Sequence, residues 1–147
     1  MSVRPSPLKR AAFGYFGAIT TRWMDNDVYG HINNVQYYSF FDTVVNGYLV
    51  EKGVLDPATS GVIGLVVETH CNYFSPLSFP QAVDAGLCVT RVGTSSVRYE
   101  IGLFEKGADT AAAQGHFVHV YVDRETRRPV ELPEVFRRAL VPLIKAG

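Results

Sequence analysis

Residues 21–38 read TRWMDNDVYGHINNVQYY. Two carboxylates (Asp25, Asp27), one histidine (His31) and the asparagine pair Asn33-Asn34 share ten positions of this stretch, with Asn26 and Gly30 among them. No other part of the chain concentrates so much hydrogen-bonding chemistry. A long apolar-rich segment follows at once, and its reading sets the fold. Over residues 34–52, Val35, Tyr38, Phe41, Val45, Tyr48 and Leu49 recur at spacings of three and four, the period of a helix stripe. Phe40, Val44 and Val50 widen the stripe well beyond one face. A helix apolar nearly all round is expected to be buried, so it belongs at the centre of the molecule. Asn33 or Asn34 can cap its start, because a short polar side chain satisfies the free N–H groups there. Gly53 ends it, with Lys52 in the last turn.

Upstream, residues 1–10 (MSVRPSPLKR) carry two prolines and three basic residues and read as a flexible arm. Residues 11–147 read as a single domain. Residues 13–23 are aromatic, β-branched and small, and predict a first strand that ends in the polar loop. Downstream, strand-like segments occupy residues 62–74, 82–92, 95–105 and 110–122, and Pro133 opens a terminal helix over 133–144. The short connections 92–94 and 106–109 imply hairpins and hence antiparallel pairing. The order is strand, long helix, four antiparallel strands, short helix, an α+β layer architecture. Five strands do not easily cover a helix that is apolar all round. Either the sheet curls around it or a second copy closes the open side.

Composition narrows the function classes. The chain has 147 residues, enough for one domain that buries about two thirds of its unfolded surface. Its net charge is zero, without the basic excess of a nucleic-acid binder. Arg124, Arg127 and Arg128 form a local cluster that suits one phosphate and not a duplex. Cys71 and Cys88 form no CxxC pair, which fits a reducing compartment and a cytoplasmic protein. The run after Arg10 lacks a small-residue cleavage site, and no apolar run reaches the ~20 residues of a membrane helix.

The polar loop admits several chemistries. As a calcium loop starting at Asp25 it fails at position five, Tyr29, and position twelve, Gln36, where oxygen ligands are required. His70, His116 and His119 lie in strand segments without zinc-ligand spacing, so no metal site is expected. A capping loop explains Asp25, Gly30 and Asn33 but leaves Asp27 and His31 without a role. Acid–base or nucleophilic chemistry at a helix N-terminus uses both. Asp27 can attack a carbonyl or activate a water. The free N–H groups around residues 33–35 are preset donors to an oxygen that becomes negative during acyl transfer. His31 lies between them, placed to orient a water or to donate to a leaving group. Hydrolysis of an activated acyl compound is the reaction these groups suit.

The pattern R-W-x-D-x-D-x-x-G-H-I-N-N-x-x-Y over residues 22–37 resembles the signature of hotdog-fold acyl-CoA thioesterases of the 4-hydroxybenzoyl-CoA thioesterase type. The segments VVETHCNYFSPLSFPQAVDAGLCVTRVGTSSVRYEI (66–101) and VDRETRRPVELPEVFR (122–137) are similar to that family's later strands and its usual ending. The resemblance implies a hotdog fold, a five-stranded antiparallel sheet wrapped around a long central helix, in a homodimer or homotetramer. It implies acyl-CoA as substrate, with no cofactor and no nucleic-acid or membrane partner. It places catalysis on Asp27, His31 and the backbone N–H of Asn34. The substrate pocket would take in Tyr29, Gly30, Asn33, Tyr38 and Asp42. Arg91, Arg127 and Arg128 are candidates for the coenzyme phosphates. The run His31-Ile32-Asn33-Asn34 is also similar to the HVNN run of plant acyl-ACP thioesterases, from which Tyr29 departs where an asparagine stands. The alternatives are an acyl-ACP substrate and a non-catalytic acyl-CoA-binding module, which would keep the pocket without needing the Asp27 carboxylate.

Overall fold

A computed structural model describes residues 5–145. Its elements are β1 (Tyr15–Ile19), α1 (Asn34–Glu51), β2 (Val62–Tyr73), β3 (Val83–Val92), β4 (Ser96–Glu105), β5 (Ala113–Asp123) and α2 (Glu134–Leu140). The strands form one antiparallel sheet in the order β1-β3-β4-β5-β2. The helix α1 packs on one face of it, the hotdog arrangement.

Alternation along the strands decides which face meets the helix. Val97, Tyr99, Ile101 and Leu103 of β4 point inward and are fully buried, as are Val83, Ala85, Leu87 and Val89 of β3. From α1, Tyr37, Phe40, Phe41, Val44, Val45, Tyr48 and Leu49 enter the same core. Burying each such side chain contributes about 1.5–3 kcal/mol, so this one face accounts for much of the adhesion between layers. Asn33 caps α1 as expected, its Oδ1 accepting from the Val35 N–H at 3.2 Å. Gly53, at φ 74°, follows the helix end.

Three expectations are corrected. The helix is not buried all round. Val35, Ser39, Asp42, Thr43, Gly47 and Val50 stand exposed on its outer side, because a single sheet covers only one face of a cylinder. The buried stripe is also rotated from the one read in the sequence: Tyr37 is 3% exposed, whereas Val35 is 61% exposed. The first strand is shorter than residues 13–23. Phe13 leaves it to lie on the outer face, in the space that Gly86 and Gly102 leave open, where a Cβ would stand 2.7 and 2.6 Å from its ring. At the other end, residues Trp23–Asp25 form a 3-10 turn.

Of the arm expected over residues 1–10, residues 1–4 lie outside the described residues. Leu8 and Arg10 are tied to the sheet. The Leu8 N–H donates to Gln114 Oε1 at 2.7 Å, and Arg10 pairs with Asp84 at 2.9 Å.

The strand β2 is an edge. Among the described residues it pairs only with β5, through Val62↔Asp123 to Tyr73↔Ala113, and it stays exposed along most of its length. Leu65, Val66 and Val67 are 37%, 46% and 59% exposed there. Among the described residues no helix is long and apolar enough to cross a membrane.

Candidate active site

The loop ahead of α1 is built around Asp25, which is completely buried. Its carboxylate accepts from the Arg22 backbone N–H at 2.8 Å and from Arg22 Nε and Nη2 at 3.1 and 2.9 Å. Its carbonyl accepts from the Asn33 N–H at 2.8 Å. Asp25 is therefore a buried anchor, a stronger role than a turn former. It closes the loop between Arg22 and the helix cap.

Within that clamp the chain turns back on itself. The Asp27 N–H donates to His31 O at 2.8 Å, and the Gly30 N–H donates to Asp27 O at 3.1 Å. Gly30 sits at φ 83°, the left-handed region that a side chain resists. The segment after β2 braces the turn from below. Leu77 O accepts from the Ile32 N–H at 2.8 Å, the Ser78 hydroxyl donates to Gly30 O at 2.9 Å, and Asn26 Oδ1 accepts from the Phe79 N–H at 3.0 Å. Two non-adjacent segments thus hold Asp27 half-buried at the foot of α1.

An open cleft of about 370 Å³ lies there, lined by Asp27, His31, Ile32, Asn34, Tyr37, Tyr73, Phe74, Ser75 and Pro76. Asp27 Oδ1 accepts from the Tyr29 N–H at 2.9 Å, which fixes the plane of the carboxylate and leaves Oδ2 for chemistry. The first turn of α1 offers one unused amide. The Val35 N–H is taken by Asn33 Oδ1 and the Gln36 N–H by Asn33 O. The Asn34 N–H has no partner among the described residues, and it stands at the positive end of the helix.

A carboxylate, an imidazole and a free helix-start N–H around one cleft can attack a carbonyl, move a proton and stabilise an oxyanion. The back wall is aromatic: Tyr37 and Tyr73 meet edge to face at 4.9 Å. Burial pushes both phenols above their ordinary range. Beside them it pushes the Cys71 thiol up to about 11, against a smaller downward pull from Tyr73. Among the described residues no group of three His, Cys, Asp or Glu could hold a metal.

The structure brings Asp27, His31 and Asn34 together and sets Gly30 and Asn33 in the loop and cap that support them. It places other candidates elsewhere. Tyr29 is 82% exposed with its side chain in solvent. Tyr38 is half-buried and packs on Phe41 at 5.9 Å; Tyr37 takes the cleft position instead. Asp42 is exposed on the outer side of α1. Arg127 and Arg128 lie in the loop after β5, at the Val62 end of β2. The cleft is at the Tyr73 end, about 36 Å away along the strand at about 3.3 Å per residue. Arg91 lies near the end of β3 farther from the site loop, opposite Arg98. The cleft residues not among those candidates are Ile32, Tyr37, Tyr73, Phe74, Ser75 and Pro76. Ile32 and Tyr37 stand in the motif of residues 22–37, and the signal for the others was the Ser75-Pro76 break after a strand.

Comparison with known proteins agrees with this architecture. Residues 21–140 match the family model described as the thioesterase-like superfamily. The crystal structure of the PA5185 protein from Pseudomonas aeruginosa is 51% identical, covers 97% of this chain and 99% of its own, and superposes with a TM-score of 0.94. The protein Slr0204 from Synechocystis, a 1,4-dihydroxy-2-naphthoyl-CoA thioesterase, shares the fold at a TM-score of 0.78 and 13% identity over 86% of this chain and 94% of its own. The uncharacterized protein YsmA of Bacillus subtilis is 21% identical over 132 residues, 90% of this chain and 88% of that protein.

Proposed function

The chain belongs to the thioesterase-like superfamily, and from that premise we propose that it hydrolyses an acyl-CoA thioester to a carboxylic acid and free coenzyme A. The observation that carries the reading is that Asn34, whose N–H at the helix start has no partner among the described residues, lines the same cleft as Asp27. Asp27 either attacks the thioester carbonyl or takes a proton from an attacking water. In both cases the carbonyl oxygen becomes negative, and the Asn34 N–H at the helix start stabilises it. The C–S bond then breaks and the thiolate leaves and takes up a proton; the oxygen added to the acyl group comes from water when Asp27 acts as base, and from Asp27 itself when the carboxylate attacks and water then opens the acyl–Asp27 anhydride at its Asp27 carbonyl. His31, exposed at the mouth of the cleft, orients that water or donates to the leaving sulfur.

The working unit is a homo-oligomer. The outer side of α1 and the bare edge of β2 form one uncovered face beside the cleft. A second copy covers that face by continuing the sheet and packing against the helix. Arg91, Arg127 and Arg128, remote from the cleft of their own protomer, meet the coenzyme of a neighbouring site in such an assembly. Two free thiols fit a cytoplasmic setting.

The test is thiol release from short, long and aromatic acyl-CoAs. Wild-type protein is expected to turn over at least one of them. Asp27→Asn should lower turnover by about 10²-fold or more. Full activity in Asp27→Asn refutes the mechanism. Label found in Asp27 after a single turnover in ¹⁸O water identifies the form in which the carboxylate itself attacks.

A further inference from the structure

The Asn34 peptide unit is gripped from two sides. From the loop, Asn33 engages the amides that follow it. From the sheet, Tyr73, the last residue of β2, donates its hydroxyl to Asn34 O across 3.0 Å. This side-chain hydrogen bond joins the start of α1 to the end of β2. The Tyr73 ring also rests edge-on against Tyr37, one turn further along the helix. Both rings line the cleft with Asp27 and Asn34. Burial raises the Tyr73 phenol above its ordinary range, so it stays protonated, and a donor, wherever the loop is folded.

We infer that Tyr73 is a positioning residue for acyl transfer, its hydroxyl holding the first turn of α1 against the sheet so that the Asn34 N–H stays aimed into the Asp27 cleft. This inference rests on the thioester-hydrolase reading.

The physical argument is one of preorganisation. A helix start that is capped only from its own loop can rock about that loop. The strand that would stop it here is an edge strand, and the aromatic side chain at its end is what reaches the helix. An oxyanion donor acts mainly in the transition state, so its misplacement lowers kcat and leaves substrate binding nearly unchanged. Displacements of about 1 Å are worth up to about 10²-fold in rate. Losing one of two restraints should therefore lower kcat by roughly tenfold.

The experiment compares Tyr73→Phe, which keeps the ring and removes only the hydroxyl, with wild type. Three results are expected: kcat lower by about tenfold, KM within about twofold, and an unchanged melting temperature. Tyr73→Leu, which loses the ring as well, should fall in stability too. A second measurement needs no substrate. In NMR spectra of Tyr73→Phe, the Asn34 carbonyl carbon and the Val35 amide, which belong to one peptide group, should shift away from their wild-type positions. Unchanged kcat and KM in a folded Tyr73→Phe protein overturn the positioning role. Unmoved Asn34 and Val35 signals overturn the tether itself. A wild-type protein that cleaves no acyl thioester, on CoA or on a carrier protein, overturns the hydrolase reading and the positioning role with it, while the spectra still decide whether the tether exists.

Discussion

His119 should make this protein sensitive to acid in a window set by a single buried imidazole. The side chain points inward from β5, opposite Val97 of β4 and Val66 of β2. It is 2% exposed. Its Nε2 has no hydrogen-bond partner among the described residues, and its Nδ1 is 3.4 Å from the Tyr121 hydroxyl, itself 2.7 Å from the Tyr99 hydroxyl. The ring is enclosed by Tyr99, Phe117 and Tyr121. Burial alone lowers its pKa from 6.5 to about 4. The unfolded chain therefore binds a proton below 6.5 that the folded chain refuses until about 4. Protons favour unfolding throughout that window, and stability falls as pH falls through it. At about 1.36 kcal/mol per pH unit the full loss is about 3 kcal/mol, a large share of the 5–15 kcal/mol typical of a domain.

Urea unfolding between pH 7 and pH 4.5 measures this. Wild type should lose stability with a slope approaching one proton. His119→Leu, which cannot titrate, should show a slope shallower by that proton over the same range, whatever its absolute stability. Parallel curves for the two proteins would refute the reasoning, since they would mean that His119 accepts its proton in the folded state as easily as in the unfolded one.

Two further outcomes follow from the loop and the edge. Asp25→Ala removes three hydrogen bonds from a buried anchor while the guanidinium it held returns to water. The expected loss is about 2 kcal/mol, or a melting temperature lower by about 4–8 °C, read by calorimetry; an unchanged melting temperature contradicts the anchor role. Sedimentation should find wild type at or above dimer size at micromolar concentration. Val67→Lys on the exposed edge should shift it toward monomer, and a monomeric wild type contradicts the proposed assembly.

The sequence carried the local structure well and the non-local structure poorly. The cap at Asn33 and the Gly53 terminator mark α1 to within a residue, because capping depends on neighbours in the chain. The four later strands are legible for the same reason, bounded by Gly93, Lys106-Gly107 and Ser75-Pro76. The phase of α1 was not legible. Adjacent aromatics at Tyr37 and Tyr38 fit a wide stripe equally well, and only the sheet decides between them. Asp25 looked like a turn residue because nothing in sequence marks burial, although Arg22 three positions away was its partner all along. Four of the nine cleft residues, Tyr73, Phe74, Ser75 and Pro76, come from the end of β2 and the segment after it. These reach Asp27 only because β2 skips its neighbour in sequence and pairs with β5, a choice no local pattern announces.

That skipped pairing also sets the timetable of folding during synthesis. A ribosome completes α1, with Phe40, Phe41, Tyr48 and Leu49 bare, before β3, β4 and β5, which bury them, have been made. β2 emerges next and finds no strand to bond. Its first ladder partner is Ala113, at Tyr73, and its last is Asp123, at Val62. The nascent chain must therefore carry an aromatic helix and an unpaired strand for some fifty residues of elongation, or several seconds at about 5–20 residues per second. Closure then comes late and nearly at once, with the long-range contacts that make folding slow.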